Sequence, residues 1–371
     1  MSFCANQAIA TSTKLAYSRA MIKNASPILA ALRAATLSEA AAVEFMEQQR
    51  WGAAPACPRC GVADVYKMSG SDGARNKDYR WRCRGCKQMF TVRTGTVFEE
   101  SRLPLRVWVY AFWKACSSKK GISALQLSRE MEITHKSALF VLRRIRHGLS
   151  SENMPKMTGT VEADETYIGG KPRHGYGWGK EPRRRGGADK DGVFGIVQRD
   201  GDVRFKLLDR ITADRLSQHI AENADLTCRL ITDDSPAYKR VGQAFEGGHE
   251  TTLHMAKQYV RPGTDIHSNT IEGVFSLIKR GVMGTFHSVS RKHLPNYLNE
   301  FEFRWNTRKL DDGQRVARAI KQVDGKRLEY RESVDNPPYF VPLAPQQLKA
   351  PADTLGRRIV ARLRADRERD N

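Results

Sequence analysis

Asp164, Asp233 and Glu272 are carboxylates in local sequences that suit divalent-metal ligands. Asp164 lies in Gly159-Thr-Val-Glu-Ala-Asp-Glu-Thr-Tyr-Ile-Gly-Gly170, which reads as a strand over 159–164 running into a glycine turn. Asp233 closes Arg229-Leu-Ile-Thr-Asp233, a second short apolar strand. Both carboxylates are therefore expected at strand ends. Glu272 falls where apolar residues at 271, 274, 275 and 278 follow a helical period, and Lys279 comes seven residues later on the same face. Three acids on two strands and a helix, in a strongly basic chain, point to metal-dependent chemistry on phosphodiesters. Such a reaction builds negative charge on its attacking and leaving oxygens, which two Mg²⁺ ions about 4 Å apart stabilise, with Mn²⁺ as a substitute. Mg²⁺ takes oxygen ligands and keeps several waters, so three protein carboxylates suffice. Asp164 is expected to bridge both ions, with Asp233 completing one site and Glu272 the other, and Lys279 is expected to contact a phosphate. Each acid taken alone also fits an ordinary exposed residue; the joint pattern carries the reading.

The elements that must position these acids are legible from the rest of the chain. At 371 residues and 40% hydrophobic content it can bury a substantial core in more than one domain. Lys and Arg outnumber Asp and Glu by 62 to 41, a formal charge of +21. A charge this large repels itself without a partner, so nucleic acid is favoured over simple solubility. No stretch reaches the roughly 20 apolar residues of a membrane span, and the N-terminus has no signal-peptide pattern, so a cytoplasmic protein with no membrane partner is expected. Seven cysteines are present. Cys4, Cys116 and Cys228 stand alone, and the last two read as small core residues.

The other four form Cys57-Pro-Arg-Cys60 and Cys83-Arg-Gly-Cys86, the spacing of a four-thiolate zinc ribbon. Its Zn²⁺ is structural, because four thiolates leave no position for water. The alanine-rich segment before it is expected to be helical from about Ser38, a plausible N-cap. Pro104 to Leu149 turns helical again and contains a helix-turn-helix-like pair. Its second, basic helix, Thr134 to Arg146, carries Arg143, Arg144 and Arg146 as candidate DNA contacts; an ordinary helical hairpin with solvated arginines is the alternative. Beyond Thr158, strands at 159–164, 193–198, 203–208 and 228–232 alternate with helices at 213–224, 235–245, 269–281 and 291–306. This is an α/β domain with mixed sheet pairing, compatible with a ribonuclease H-like core. Residues 171–190 interrupt it with seven Lys or Arg against two acids, plus Tyr176 and Trp178. Lys171, Arg173, Arg183, Arg184 and Arg185 would track phosphates there while the aromatics stack on bases; a solvated insertion is the alternative.

The cysteine set, Arg93-Thr-Gly-Thr-Val-Phe98, Ala163-Asp-Glu-Thr-Tyr-Ile-Gly-Gly170, Thr232-Asp233 with Ala237-Tyr238, and His267-Ser-Asn-Thr-Ile-Glu-Gly273 through His287-Ser-Val-Ser-Arg-Lys-His-Leu294 together resemble the zinc-ribbon DDE transposases of bacterial insertion sequences, the ISXO type. The resemblance covers about residues 38–308. It implies an α/β fold with a ribonuclease H-like catalytic core (158–308), preceded by an N-terminal extension (1–37), a zinc ribbon (38–98) and a helical, helix-turn-helix-like DNA-binding region (99–150), and followed by a charged tail (309–371). It also implies binding to double-stranded DNA at terminal inverted repeats, strand cleavage exposing a 3′ hydroxyl, and attack of that hydroxyl on target DNA. Family roles fall on Asp164, Asp233 and Lys279, with Arg280 a further basic residue beside it. The third ligand is Asn in some members and Glu in others. Here Asn269 and Glu272 lie one turn apart, and Glu272 is preferred because a carboxylate holds Mg²⁺ better than an amide. Glu162, Glu165 and Asp234 flank the acids, and strand alternation is expected to turn immediate neighbours away from the metals. His267, His287 and His293 read as surface or structural histidines. A paired-end reaction requires a homo-oligomer on DNA. Two other functions remain open at this stage: a nuclease without strand transfer, and a DNA-binding regulator.

Overall fold

The computed structural model describes residues 26–53, 55–151, 154–169, 190–252, 260–261 and 263–328. They divide into two compact units, one holding residues up to Trp113 together with Leu310–Asp324, the other holding Lys114–Lys309 and the residues from Gly325. The basic loop carrying Lys171, Arg173, Arg183, Arg184 and Arg185 lies outside the described residues, as does the tail beyond residue 328.

The first unit begins with α1 (Pro27–Leu37), a helix within the segment read from sequence only as an extension, and α2 (Glu39–Trp51), which starts from Ser38 as its sequence predicts. Three short strands, β1 (Val65–Lys67), β2 (Trp81–Cys83) and β3 (Met89–Phe90), pair antiparallel in that order. Trp51, Trp81 and Phe90 form its small core, with ring centroids 5.8–6.4 Å apart. Glu47 of α2 accepts the Trp81 indole N–H at 2.8 Å. Helix α3 (Leu105–Ser117) follows; Glu39 satisfies its first amides, accepting from the Leu105 and Arg106 N–H groups at 2.7 and 3.1 Å.

The second unit opens with the helix pair α4 (Ala124–Glu130) and α5 (His135–Gly148). Ser123 and Thr134 cap their N-termini, and a short turn containing the positive-φ Glu132 joins them. The sheet then builds through β4 (Thr160–Ile168), β5 (Asp191–Gln198) and β6 (Val203–Leu208), an antiparallel meander. After α6 (Ala213–Asn223) come β7 (Arg229–Asp233), α7 (Pro236–Gly242) and β8 (His249–Thr252). The order across the sheet is β6-β5-β4-β7-β8, with β7 and β8 parallel to β4. Helices α8 (Asn269–Gly281), continued by a π-helical turn at Val282–Phe286, and α9 (Leu294–Asn306) complete it. Side chains alternate between two cores. Val161, Ala163, Phe194 and Ile196 pack with α6 and α7, while Ile168, Val193 and Val197 pack with α8 and α9. α9 also closes the sheet edge: Asn306 and Glu302 accept the outward N–H groups of Val203 and Phe205 at 2.8 and 3.2 Å. The last helix, α10 (Asp312–Gln322), starts from a capping box at Asp311 and belongs to the first unit.

The structure corrects three expectations. β4 runs on to Ile168 because β5 pairs with it as far as Ile168↔Asp191, so Asp164 lies in mid-strand rather than at a strand end. β8, a four-residue polar strand, has no apolar run to announce it. Arg146, expected to face DNA, is 2% exposed. Its guanidinium pairs with the fully buried Glu300 of α9 and lies 3.9 Å from the Tyr297 ring centroid. Arg304 pairs with the same carboxylate and donates to the Ala115 carbonyl at 3.1 Å. Burial alone would raise the Glu300 pKa, but the two guanidinium charges hold it below the ordinary carboxylate range.

Candidate functional site

Asp164 and Asp233 meet through strand register. Thr160, Val161 and Glu162 pair with Arg229, Leu230 and Ile231, and continuing that offset sets Asp164 beside Asp233 where β7 ends. In-register residues on neighbouring strands share a face. Local hydrogen bonds shape both carboxylates: Asp164 accepts the Glu165 N–H at 2.7 Å, and Asp233 accepts the Ser235 N–H at 3.2 Å as the chain turns into α7. The two acids reveal their closeness electrostatically at Glu165. Burial pushes the Glu165 carboxyl up to about 7, and the charges of Asp164 and Asp233 add to the rise. The buried Tyr238 phenol, on α7, is held well above its ordinary range by burial and by Glu165, Asp164 and Asp233.

Glu272 sits in the first turn of α8, half-buried, and accepts the Ser268 hydroxyl at 3.3 Å; Asn269 is exposed. Two features seat this helix on the sheet. Gly195, paired with Asp164 across the β4–β5 ladder, leaves room for Phe275 and Ile271. Glu162, fully buried, accepts the Ile271 N–H at 3.0 Å, the Thr270 hydroxyl at 2.8 Å and Arg199 Nε at 2.8 Å. Sequence reasoning missed this role. Glu162 is two residues from Asp164 and so shares its face, a parity the sequence does display. Arg199 and Arg229 extend the brace to Asp265, and Arg199 also donates to the His267 carbonyl, which makes His267 structural. Lys279 and Arg280 are exposed at the far end of α8. On α5, Arg143 is exposed and the Arg144 guanidinium lies over the Phe140 ring at 4.5 Å. Burial, then the nearby charges of Arg143 and Lys292, lower the His293 pKa.

The acids offer Mg²⁺ the hard oxygen donors it prefers. Among the described residues, however, only the four cysteines bring three or more ligand atoms within 4.8 Å of one another. Asp164, Asp233 and Glu272 thus do not converge within that span. In the ribbon, Cys57 and Cys86 Sγ lie 3.7 Å apart and Cys60 and Cys83 Sγ 3.6 Å apart. Four thiolates at about 2.3 Å from a central Zn²⁺ would stand about 3.8 Å from one another, so the cluster fits a tetrahedral ion. Positive φ at Gly61 and Lys87, each just after a Cys-x-x-Cys, closes the two turns. Burial pushes the Cys57 thiol up to about 12, whereas the Val62 backbone lowers Cys60 to about 7.

Both the ribbon and the α/β domain are similar to known proteins. Residues 156–306 match the family model of the ISXO2-like transposase domain, and residues 37–89 match that of the transposase zinc-ribbon domain. An uncharacterized protein in transposable element ISH50 of Halobacterium salinarum is 28% identical over 279 residues, covering 72% of this chain and 91% of that protein. Among solved structures, the Mos1 strand transfer complex aligns at 14% identity over 56% of this chain and 75% of that one, with a TM-score of 0.23. The Mos1 paired-end complex with left transposon end aligns at 13% identity over 59% and 79%, with a TM-score of 0.25. Among the described residues no helix is long and apolar enough to cross a membrane. The chain thus carries a four-cysteine ribbon and an α/β domain, each similar to a transposase family model, the zinc-ribbon domain over 37–89 and the ISXO2-like domain over 156–306.

Proposed function

We propose that the chain is a DNA transposase that cleaves a strand at the end of its insertion sequence to expose a 3′ hydroxyl and joins that hydroxyl to target DNA. The observation that carries this reading is the in-register pair Asp164 and Asp233, with Glu272 brought to the same sheet on a helix seated by Gly195 and Glu162. The sheet order, three antiparallel strands followed by two parallel ones, supports a ribonuclease H-like core. Asp164 and Asp233 would hold one divalent ion, and Asp164 and Glu272 the second. Two such ions, when bound, stabilise charge on the attacking and leaving oxygens. The chain's own residues hold the ligands in place, keep Glu272 rather than the exposed Asn269 turned toward the sheet, and offer Lys279 to a phosphate. The α4–α5 pair, with α5 as its longer second helix, supports helix-turn-helix binding to duplex DNA, with Arg143 and Arg144 as contacts. The loop residues Lys171, Arg173, Arg183, Arg184 and Arg185 extend the basic surface in this reading, and Arg280 adds to it. Joining two ends calls for a homo-oligomer on DNA.

The test is cleavage and joining on a labelled duplex bearing the element's terminal repeat with Mg²⁺ or Mn²⁺. Native protein is expected to give joined products that vanish in Asp164→Ala and Glu272→Ala. Joining that survives Glu272→Ala moves the third role to Asn269, cleavage without joining identifies a nuclease, and binding without metal-dependent breakage defeats the enzymatic reading.

A further inference from the structure

The end of α8 is built in an unusual way. The helix passes into a π-helical turn at Val282–Phe286, a rare geometry that is frequent at functional sites. The next residue, His287, has φ 59° and ψ −42°, and the Ser288 N–H donates to the Phe286 carbonyl at 2.7 Å. This is the rare, strained γ-turn of positive φ. Such strain persists only where the surroundings enforce it. Phe286 supplies the anchor: its ring is edge-on to Tyr297 at 4.7 Å, and the Arg146 guanidinium lies 5.0 Å from its centroid. Gly281 lets the helix end close in, since a Cβ there would lie 2.3 Å from Phe301.

Pulling Phe286 inward pushes its neighbours out. Met283 is 75% exposed, an apolar side chain standing in solvent, with Gly284, His287 and Ser288 exposed around it. Glu272 and Lys279 lie seven residues apart on one face of α8, and Met283 follows in the π-helical turn, about 15 Å from Glu272 along the helix, some four to five base steps along a duplex. The surroundings are cationic. Lys279, Arg280 and Lys292 are exposed, and Arg143 of α5 lies close enough to His293 to act on it with Lys292. Among the described residues, Lys279, Lys292 and Arg143 form no ion pair. An exposed apolar tip at a helix end, with exposed cations on the same helix and on the segments that follow and pack against it, fits a duplex whose phosphates are gripped while a side chain enters the base stack, as Met does in wedge-type DNA binders.

We propose that Met283 is a wedge that unstacks a base step near the end of the bound DNA, with Lys279, Lys292 and Arg143 holding the flanking phosphates. This rests on the transposase reading of the acids, but it concerns binding rather than bond cleavage, so it is tested without chemistry. The probe is the terminal-repeat duplex with 2-aminopurine at successive positions, mixed with full-length protein in Ca²⁺; anisotropy reports binding and 2-aminopurine fluorescence reports unstacking. The expected result is a several-fold fluorescence rise at one position with native protein, lost in Met283→Ala and kept in Met283→Leu. Lys292→Ala and Arg143→Ala should each lower the log–log salt slope of binding by about 1. Binding by native protein with no rise at any position, or a rise that survives Met283→Ala, overturns the wedge alone. A Met283→Ala change in oligomeric state without loss of the rise assigns Met283 to contact between copies and likewise overturns it. Failure of native protein to bind the duplex overturns both readings.

Discussion

Gly195 stands directly opposite Asp164 in the β4–β5 ladder, and its missing side chain is the space that α8 occupies. A Cβ at 195 would lie 2.8 Å from Phe275 and 2.9 Å from Ile271. Both neighbours are buried core side chains with little freedom to move. Gly195→Ala is therefore expected to lift α8, costing about 1–3 kcal/mol of stability. Because α8 carries Glu272, cleavage should fall by about 10–100-fold. Thermal unfolding and single-turnover cleavage measure the two effects; native values for both would show that the helix is not seated at this residue.

Arg146 and Arg143, one helical turn apart, should respond oppositely to truncation. Arg146→Ala leaves Glu300 buried with one cationic partner fewer and is expected to cost about 3–5 kcal/mol in denaturant unfolding. Arg143→Ala should leave unfolding within about 0.5 kcal/mol, because an exposed arginine without an ion pair contributes little. Equal effects on stability would contradict the assigned burial.

Glu302 predicts a pH dependence. Burial raises its carboxyl from 4.5 to about 7, while the Phe205 backbone N–H and the Arg204 charge work the other way. The folded state thus binds the proton more tightly than the unfolded chain. Stability from this group is fully present below about pH 4.5 and is lost as pH rises to about 7. Glu302→Gln keeps an acceptor for Phe205 and removes the titration. The variant should match native protein near pH 4.5 and exceed it near pH 8 by up to about 3 kcal/mol. Urea midpoints across that range test the sign, and a native protein that gains on Glu302→Gln as pH rises would refute it.

Zinc removal should act on the ribbon. Cys83→Ser, or a strong chelator, is expected to release the bound zinc and abolish the near-ultraviolet signal of the Trp51, Trp81 and Phe90 cluster, which packs against Cys57, Cys83 and Cys86. Metal analysis alongside circular dichroism checks this; an unchanged aromatic signal in zinc-free protein would mean that the ribbon core holds without its ion.

What the sequence displayed depended on how local the signal was. The Cys-x-x-Cys pairs, the apolar strands and the period of α8 are local, and the structure has strands and helices where they point. Arg146 looked like Arg143 because its partner Glu300 is 154 residues away. Yet it sits on the buried stripe of Ala138, Val141, Leu142 and Ile145, at the i+4 position from Leu142. Burial of an arginine on that stripe was readable; the carboxylate that satisfies it was not. Glu162 is similar: its parity with Asp164 is plain, but the Thr270 and Ile271 donors it serves lie more than 100 residues away. The π turn and the β8 strand have no compositional signature, being set by the packing of Phe286 and by pairing with β7.

The first unit is assembled from both ends of the described chain. Arg50 of α2, its side chain almost fully buried, donates to the Val92 carbonyl at 2.8 Å and pairs at 2.6 Å with Asp324, beyond the end of α10. Gly313 of α10 lies so close to α1 that a Cβ there would be 3.0 Å from Ile28 and from the Leu29 amide nitrogen. On the ribosome, then, the ribbon unit is begun before residues 114–309 of the other unit and completed only after them. Its N-terminal helices must wait, with these surfaces uncovered, while nearly two hundred residues of the other unit are made. A premature stop after Lys309 would strip α10 from the ribbon unit while leaving the acid-bearing sheet whole.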